Sequence, residues 1–295
     1  LTMLYDIRLN LHYDYPYTVE GGRHHLRTMP LTLPGMQRVI AANIALSPKP
    51  SEQTAFSDFF GNAVTSIAFR KPHDTLDLTM KARISVTRPE PPLDISPTLE
   101  GLKSEIDATL TLDATSPHHF LAGSLHSPLE PAITTYARDS AASSRSVYEL
   151  AFDLCKRIHT DFDYEPDATN VRTLSPEAFR LKAGVCQDFS HVMISGLRGL
   201  GVPACYVSGF IRTIPPPGKE RLEGADAMHA WVSVWCGREA GWREFDPTNA
   251  ILAGNDHIVI GYGRDYADVA PIVGVLRTVG RHSSEQSVDV IPVAE

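Results

Sequence analysis

The sequence predicts an α+β chain: an N-terminal antiparallel β domain over residues 1–95, then a second unit over 96–295, with its core at 145–270, that mixes strands with helices, one of them opening at a cysteine. Three observations carry this expectation. Polar and apolar residues alternate through much of the first hundred positions, the period of a strand with one buried face. A proline cluster (Pro89, Pro91, Pro92, Pro97) then removes ladder donors and restricts the residues before it, which puts a boundary near residue 95. Beyond it apolar residues recur three and four apart, as on an amphipathic helix, before strand patterning returns.

In chain order, Tyr5, Ile7, Leu9, Leu11 and Tyr13 alternate with Asp6, Arg8, Asn10, His12 and Asp14, which gives a first strand. Leu76, Leu78, Met80, Ala82, Ile84 and Val86 repeat the pattern. Residues 38–46 and 63–70 fit strands between them, because Pro34-Gly35, Ser47-Pro48, Gly61-Asn62 and Lys71-Pro72 supply turns. In the second unit Val147, Leu150, Ala151, Leu154 and Ile158 line one face of a helix. Ser175-Pro176-Glu177 reads as a helix start with Ser175 as N-cap, and Gly184 as that helix's end. A further helix begins at or just after Cys186, with Phe189, Met193, Leu197 and Leu200 as its buried stripe and Gly199, Gly201 and Pro203 as its stop. Strands are expected over 204–211, 229–236 and 241–246. The tail, 273–295, gives one or two closing strands and no readable chemistry.

Composition limits the function classes. Hydrophobic residues make up 43% and charged residues 21% of 295, which is a globular balance. A formal net charge of −8 with no compensating basic run argues against nucleic acid and against an anionic membrane as partners. No stretch approaches the ~20 apolar residues of a membrane span, and residues 1–14 lack the apolar run of a signal peptide. A cytoplasmic setting with reduced thiols is therefore the expectation. The four cysteines, Cys155, Cys186, Cys205 and Cys236, form no C-x-x-C pair and are too sparse for a disulfide scaffold. Cys155, Cys205 and Cys236 sit in apolar segments and read as inert buried thiols. The 12 histidines include His24-His25 and His118-His119, but no H-E-x-x-H occurs, so no metal is expected. Glycine loops for phosphate and a G-x-S-x-G elbow are likewise missing.

Cys186, His229 and Asp246 are different. The thiolate is the reactive form of cysteine, and a helix N-terminus favours an anion through unpaired N–H groups and a partial positive charge. In His229-Ala230-Trp231-Val232-Ser233-Val234-Trp235-Cys236, one face carries His229, Trp231, Ser233 and Trp235; in the next strand one face carries Trp242, Glu244 and Asp246. Two registers are open. If Gly237-Arg238 is a two-residue turn, Cys236 pairs with Glu239 and His229 stands opposite Asp246. With a longer loop Cys236 pairs with Gly241, and Asp246 opposes Trp231, diagonal to His229 on the same face. Either register brings a carboxylate to one imidazole nitrogen and leaves the other for Cys186. Singly, each residue has a plainer reading: a buried thiol, a surface histidine, an Asp-Pro-Thr turn.

The blocks Gly184-Val185-Cys186-Gln187-Asp188-Phe189, His229-Ala230-Trp231 and Gly241-Trp242-Arg243-Glu244-Phe245-Asp246-Pro247-Thr248 resemble the transglutaminase-like superfamily, in particular its bacterial branch of cysteine proteases. The first part, with its Phe60-Gly61-Asn62 turn, resembles the bacterial transglutaminase-like N-terminal region. The resemblance is strongest over 145–250 and implies a papain-like core. It also implies Cys186, His229 and Asp246 as catalytic triad, and attack on a carboxamide or peptide carbonyl of a peptide or protein. A thioester acyl-enzyme would follow, with release to water or an amine and no metal or organic cofactor. An oxyanion hole is required by that chemistry. The Cys186 backbone N–H is the first candidate donor, and Tyr164 and Gln187 are candidates for the second. Asp188 is left as a helix cap. Residues 215–228, rich in proline, glycine and charge, form a candidate rim loop. The alternative to an enzyme is a non-catalytic binding or assembly module that keeps the fold.

Overall fold

The computed structural model describes residues 2–89, 93–213, 224, 226–280 and 283–293. Pro91 and Pro92 of the proline cluster and most of the candidate rim loop lie outside the described residues. The chain begins with strands β1 (Met3–Val19), β2 (Gly22–Leu26), β3 (Gln37–Ser47), β4 (Glu52–Ser57), β5 (Ala63–Phe69) and β6 (His73–Val86). Helix α1 (Leu99–Asp107), a 3-10 turn at Pro117–Phe120, α2 (Pro131–Ser143) and α3 (Val147–Asp161) follow. Next come β7 (Asp163–Tyr164), α4 (Ser175–Leu181), β8 (Ala183–Gly184) and α5 (Cys186–Gly199). The remainder is β9 (Ala204–Ile211), β10 (Ala227–Trp235), β11 (Trp242–Asp246), β12 (Ile251–Leu252), β13 (His257–Gly263), α6 (Tyr266–Val269), β14 (Ile272–Leu276) and β15 (Ser283–Pro292).

Two four-stranded antiparallel sheets, ordered β15-β1-β6-β3 and β14-β2-β5-β4, form the N-terminal region. The alternating apolar residues of β1 and β6 point inward: Tyr5, Ile7, Leu9, Leu76, Leu78, Met80 and Ile84 are at most 2% exposed. They meet Leu26 and Ile67 of the second sheet in one core. The tail corrects the expected division of the chain. Strand β15 pairs along β1, with Leu9 opposite Val288, and β14 pairs along β2. Residues 272–276 and 283–292 thus complete the N-terminal sheets instead of ending the second unit. Long-range pairing chose this, and a strand's local pattern does not specify its partner.

The second unit is a five-stranded antiparallel sheet, β12-β11-β10-β9-β13, with helices on one face. Ala230, Val232 and Val234 of β10, Tyr206 of β9 and Phe245 of β11 share a core with α2, α3 and α5. Trp231, Val207 and Val259 sit in a separate cluster with Leu31 and Leu33 of the N-terminal region. The sheet is therefore covered on both faces. Gly209 has to be glycine: a Cβ there would run into the Trp231 ring and the Ile258 carbonyl.

Two local expectations shift. Leu174, not Ser175, is the N-cap of α4, and no side chain caps that end: Ser175 is the first helical residue, with its N–H given to the His126 carbonyl at 2.9 Å. The same helix ends at Lys182 (φ 55°) instead of Gly184, which already lies in β8. Lys182 tolerates the left-handed conformation with its ammonium 3.8 Å over the Phe179 ring and 4.3 Å over Phe162.

Candidate functional site

Helix α5 starts where its sequence pattern begins. Val185 is the N-cap and Cys186 the first helical residue. Asp188, three residues on, turns back so that its Oδ2 accepts the Val185 N–H at 2.9 Å and the Thr169 hydroxyl at 2.6 Å. The carboxylate packs so closely on Gly184 that a Cβ there would lie 2.5 Å from Asp188 Oδ2. Burial pushes the Asp188 carboxyl above the ordinary value, against the Thr169 and Val185 hydrogen bonds. Asp188 is thus a cap that fixes the approach to Cys186. Cys186 is partly accessible, while Cys155, Cys205 and Cys236 are buried. Burial drives the Cys236 thiol up to about 12 and the Cys155 and Cys205 thiols higher still.

The β10–β11 hairpin takes the longer-loop register. Ser233 stands opposite Glu244, Trp235 opposite Trp242, and the Cys236 N–H donates to the Gly241 carbonyl. His229 and Asp246 are therefore diagonal neighbours, and they meet: His229 Nε2 lies 2.8 Å from Asp246 Oδ2. His229 is 7% exposed and Asp246 fully buried. Cys186 is the ring's second close partner, near enough to act on its charge alongside Asp246. An ionised carboxylate only accepts, so Nε2 carries a hydrogen and Nδ1 is the nitrogen left for the sulfur. Burial alone would lower the ring's pKa. The hydrogen bonds to Asp246 and Cys186, with the attraction of both groups, override it and raise His229 to about 10.

Asp246 accepts five hydrogen bonds. Oδ1 takes the backbone N–H groups of Thr248 (2.9 Å) and Asn249 (3.2 Å); Oδ2 takes Asn249 Nδ2 (2.7 Å), His229 Nε2 and His257 Nε2 (3.0 Å). Burial opposes the charge, but the His229 and His257 bonds outweigh it and hold the carboxyl far below the usual carboxylate range. The turn shapes the same side chain that the histidine meets: its N–H groups hold Oδ1 and so orient the carboxylate whose Oδ2 faces His229.

The structure thus brings Cys186, His229 and Asp246 together. Of the two oxyanion candidates beside the Cys186 N–H, Gln187 donates its Nε2 to the Val171 carbonyl at 3.3 Å. Tyr164, on β7 alongside Gly184, stays 55% exposed with its ring 6.2 Å from Phe189. Burial and then the neighbouring Cys186 raise its hydroxyl.

Sequence reasoning missed His257, Asn249 and the surroundings of Glu244. Asn249 follows directly on the Asp-Pro-Thr turn and could have been read as part of it. His257 carries no local signal; it reaches Asp246 from β13 across the sheet. Glu244 is a buried hub whose oxygens take Arg88 Nη1 (2.7 Å), Trp231 Nε1 (2.8 Å) and the Tyr262 hydroxyl (2.9 Å). It fixes the Trp231 ring against His257, 5.2 Å away.

His229, Asp246 and His257 each offer a ligand atom within 4.8 Å of the others, a spacing that a metal ion could use. The hydrogen-bond pattern assigns those atoms otherwise. Gly254 donates its N–H to His257 Nδ1 at 3.1 Å, so that ring keeps its hydrogen on Nε2 and gives it to Asp246. A nearby apolar cavity of about 340 Å³, walled by Phe60, Phe120, Tyr148, Trp242 and Tyr262, includes none of Cys186, His229 or Asp246. The chemistry is defined by the side chains and not by that cavity.

Residues 5–85 match the family described as bacterial transglutaminase-like N-terminal region, and residues 134–247 match the transglutaminase-like superfamily. Uncharacterized proteins of Mycobacterium tuberculosis and Mycobacterium bovis are 38% identical over 269 residues, which is 87% of this chain and 82% of theirs. One from Mycobacterium leprae is 27% identical over 242 residues, 81% of each chain. Among solved structures, a candidate cysteine protease from Cytophaga hutchinsonii superposes with a TM-score of 0.74 at 20% identity, covering 100% of this chain and 92% of that one.

Proposed function

The chain belongs to the transglutaminase-like superfamily, and from that premise we propose that it is a cysteine-dependent hydrolase or acyltransferase acting on a carboxamide or peptide carbonyl of a peptide or protein. The observation that carries this reading is one buried imidazole, His229, hydrogen-bonded to Asp246 and close enough to Cys186 for the two to share influence over its proton. A ring raised to about 10 carries a proton at neutral pH, the proton that a leaving amine needs.

In this reading the Cys186 sulfur attacks the carbonyl carbon. A C–S bond forms, and the carbonyl oxygen takes the charge. The Cys186 backbone N–H, at the first position of α5 and without an intrahelical partner, is placed to receive it. Tyr164 is the freer of the two candidate second donors, since Gln187 is committed to Val171. Collapse breaks the C–N bond, and His229 gives its Nδ1 proton to the leaving amine. Water or a second amine then attacks the thioester, His229 takes the proton, and the sulfur leaves as the thiolate. Asp246 stays ionised throughout and holds the ring.

The test is twofold. Iodoacetamide must label Cys186 well before Cys155, Cys205 and Cys236. Incubation with a library of glutamine- and amide-bearing peptides must give an acyl adduct, seen by intact mass, that is lost in Cys186→Ala while the variant stays folded. Equal slow labelling of all four thiols would remove the proposal. Adding a primary amine then separates transfer from hydrolysis by the mass of the released product.

A further inference from the structure

We propose that His257 is a positioning residue for this chemistry: through its Nε2–H it holds the Asp246 carboxylate in the orientation that meets His229, and it does so as an uncharged ring. The proposal rests on the reading of Cys186, His229 and Asp246 as the reacting set. His257 is 2% exposed and sits at the start of β13, an edge strand of the sheet, and reaches back to Asp246 from 11 residues further along the chain. Its two nitrogens have opposite duties. A backbone N–H can only donate, so the 3.1 Å bond from Gly254 makes Nδ1 an acceptor. The ring is then neutral, and its one hydrogen lies on Nε2, 3.0 Å from Asp246 Oδ2.

Neutrality matters here because His229 uses the same oxygen. A second cation on Oδ2 would compete with the His229 imidazolium for the carboxylate's charge. A neutral donor orients the oxygen and leaves the charge to His229. Asn249 supplies a third donor to Oδ2, and two backbone N–H groups hold Oδ1, so rotation of the carboxylate in either sense breaks bonds at both ends. The charged and titratable groups around His257 are Asp246 and His229, with Glu244 behind the Trp231 ring that packs on it. Adjacent Asp256 is turned away to the Tyr5 hydroxyl and Arg212.

Two variants separate the bonds. The amide of His257→Gln reaches the position of Nε2 and can still donate to Asp246. That of His257→Asn reaches only the position of Nδ1, and keeps Gly254 while losing Asp246. Cys186 alkylation by iodoacetamide is followed by peptide mass, with melting curves in parallel. The Gln variant is expected within about threefold of wild type throughout. The Asn variant is expected to label about tenfold more slowly at about pH 6 and to converge with wild type at about pH 9, where thiols ionise without help. Wild-type labelling by the Asn variant at the lower pH overturns the proposal. So does an equal loss in both variants at both pH values, which would mark a packing role alone. A measurement on the unmodified protein stands beside these. Its imidazole ¹⁵N–¹H spectrum must show His257 as the neutral Nε2–H tautomer near neutral pH, and an Nδ1–H form or an imidazolium sinks the idea. If wild-type Cys186 shows no selective labelling, the reading of the reacting set fails. If labelling is selective and the Asn variant is unaffected, only the role of His257 fails.

Discussion

Replacing Asp246 by Asn removes one charge and almost no volume, and the structure says what must follow. The carboxylate accepts at both oxygens, two backbone N–H groups at Oδ1 and three side-chain donors at Oδ2. An amide can keep only one accepting end. The backbone donors cannot change role, so the carbonyl faces Thr248 and Asn249, and the NH₂ faces His229 and His257. His229 can adapt only by moving its hydrogen to Nδ1, which turns a donor toward Cys186 with no acceptor lone pair left for the sulfur's proton. Its pKa must also fall. Burial, the largest influence on this ring, lowers it, and the raise to about 10 depends on Asp246 and Cys186. Losing Asp246 removes one of the two groups that hold the ring's proton and leaves burial less opposed, so the imidazolium is disfavoured relative to wild type.

The assay is the rate of Cys186 alkylation against pH, with thermal melting of the same samples. Asp246→Asn should label at least about tenfold more slowly than wild type at neutral pH, the effect of losing a single pKa unit of the raise. Melting should also change its pH dependence. A histidine whose folded pKa is raised contributes stability fully below its unfolded value of ~6.5 and loses it as pH climbs toward about 10. A depressed carboxylate contributes above ~3.9 and loses its share as pH falls through its folded value. Wild type should therefore lose stability on the alkaline side in that window, and the variant should be flatter there. A variant that labels at the wild-type rate with an unaltered pH profile refutes the reasoning, because the ring's charge would then not depend on Asp246.

Two further substitutions test the surroundings. Glu244→Gln should cost about 3 kcal/mol by leaving the Arg88 guanidinium, 9% exposed, without its counter-charge, and Arg88→Met in the same chain should restore part of it; an unchanged melting curve for the single variant would count against the hub. Asn62→Ala removes 2.8 Å bonds to both the N–H and the carbonyl of Tyr262, so it should cost about 2–3 kcal/mol and speed amide exchange in β13, whereas unaltered exchange there would show that the N-terminal region does not brace that strand.

What the sequence disclosed follows the range of the interaction. Period-two alternation located β1 and β6 because each strand's inward face is decided residue by residue against one core. The start of α5 was readable because the Cys-x-Asp spacing is itself the cap. Register was narrowed to two choices and no further, since the turn Gly237–Gly241 closes through backbone bonds that composition does not dictate. The misplaced tail and the unnoticed His257 have a common cause. Both depend on tertiary pairing that no local pattern names: Val288 with Leu9 across a sheet, and His257 on β13 with Asp246 on β11. Ser175 missed as a cap by a single position, since the helix takes it in as its first residue and leaves Leu174 outside.

The same long-range contacts give the N-terminal region a physical connection to the site. Among the described residues, strand β13, which carries His257, has β9 as its one sheet neighbour. Its open side is closed by the N-terminal region. Gln37 Nε2 donates to the Val259 carbonyl at 2.8 Å and Gln37 Oε1 accepts the Val259 N–H at 2.9 Å, while Asn62 does the same for Tyr262. Both side chains act as a substitute strand, satisfying a buried edge that would otherwise leave donors and acceptors unpaired. Asn62 belongs to the Phe60-Gly61-Asn62 turn, and Asp58 ties that turn by accepting the Phe60 and Asn62 N–H groups. The turn that marks the N-terminal region in sequence is therefore the part that grips β13. From there the chain of contacts runs through His257 to Asp246 and then His229, so loosening the turn should loosen the carboxylate without touching any residue that meets substrate.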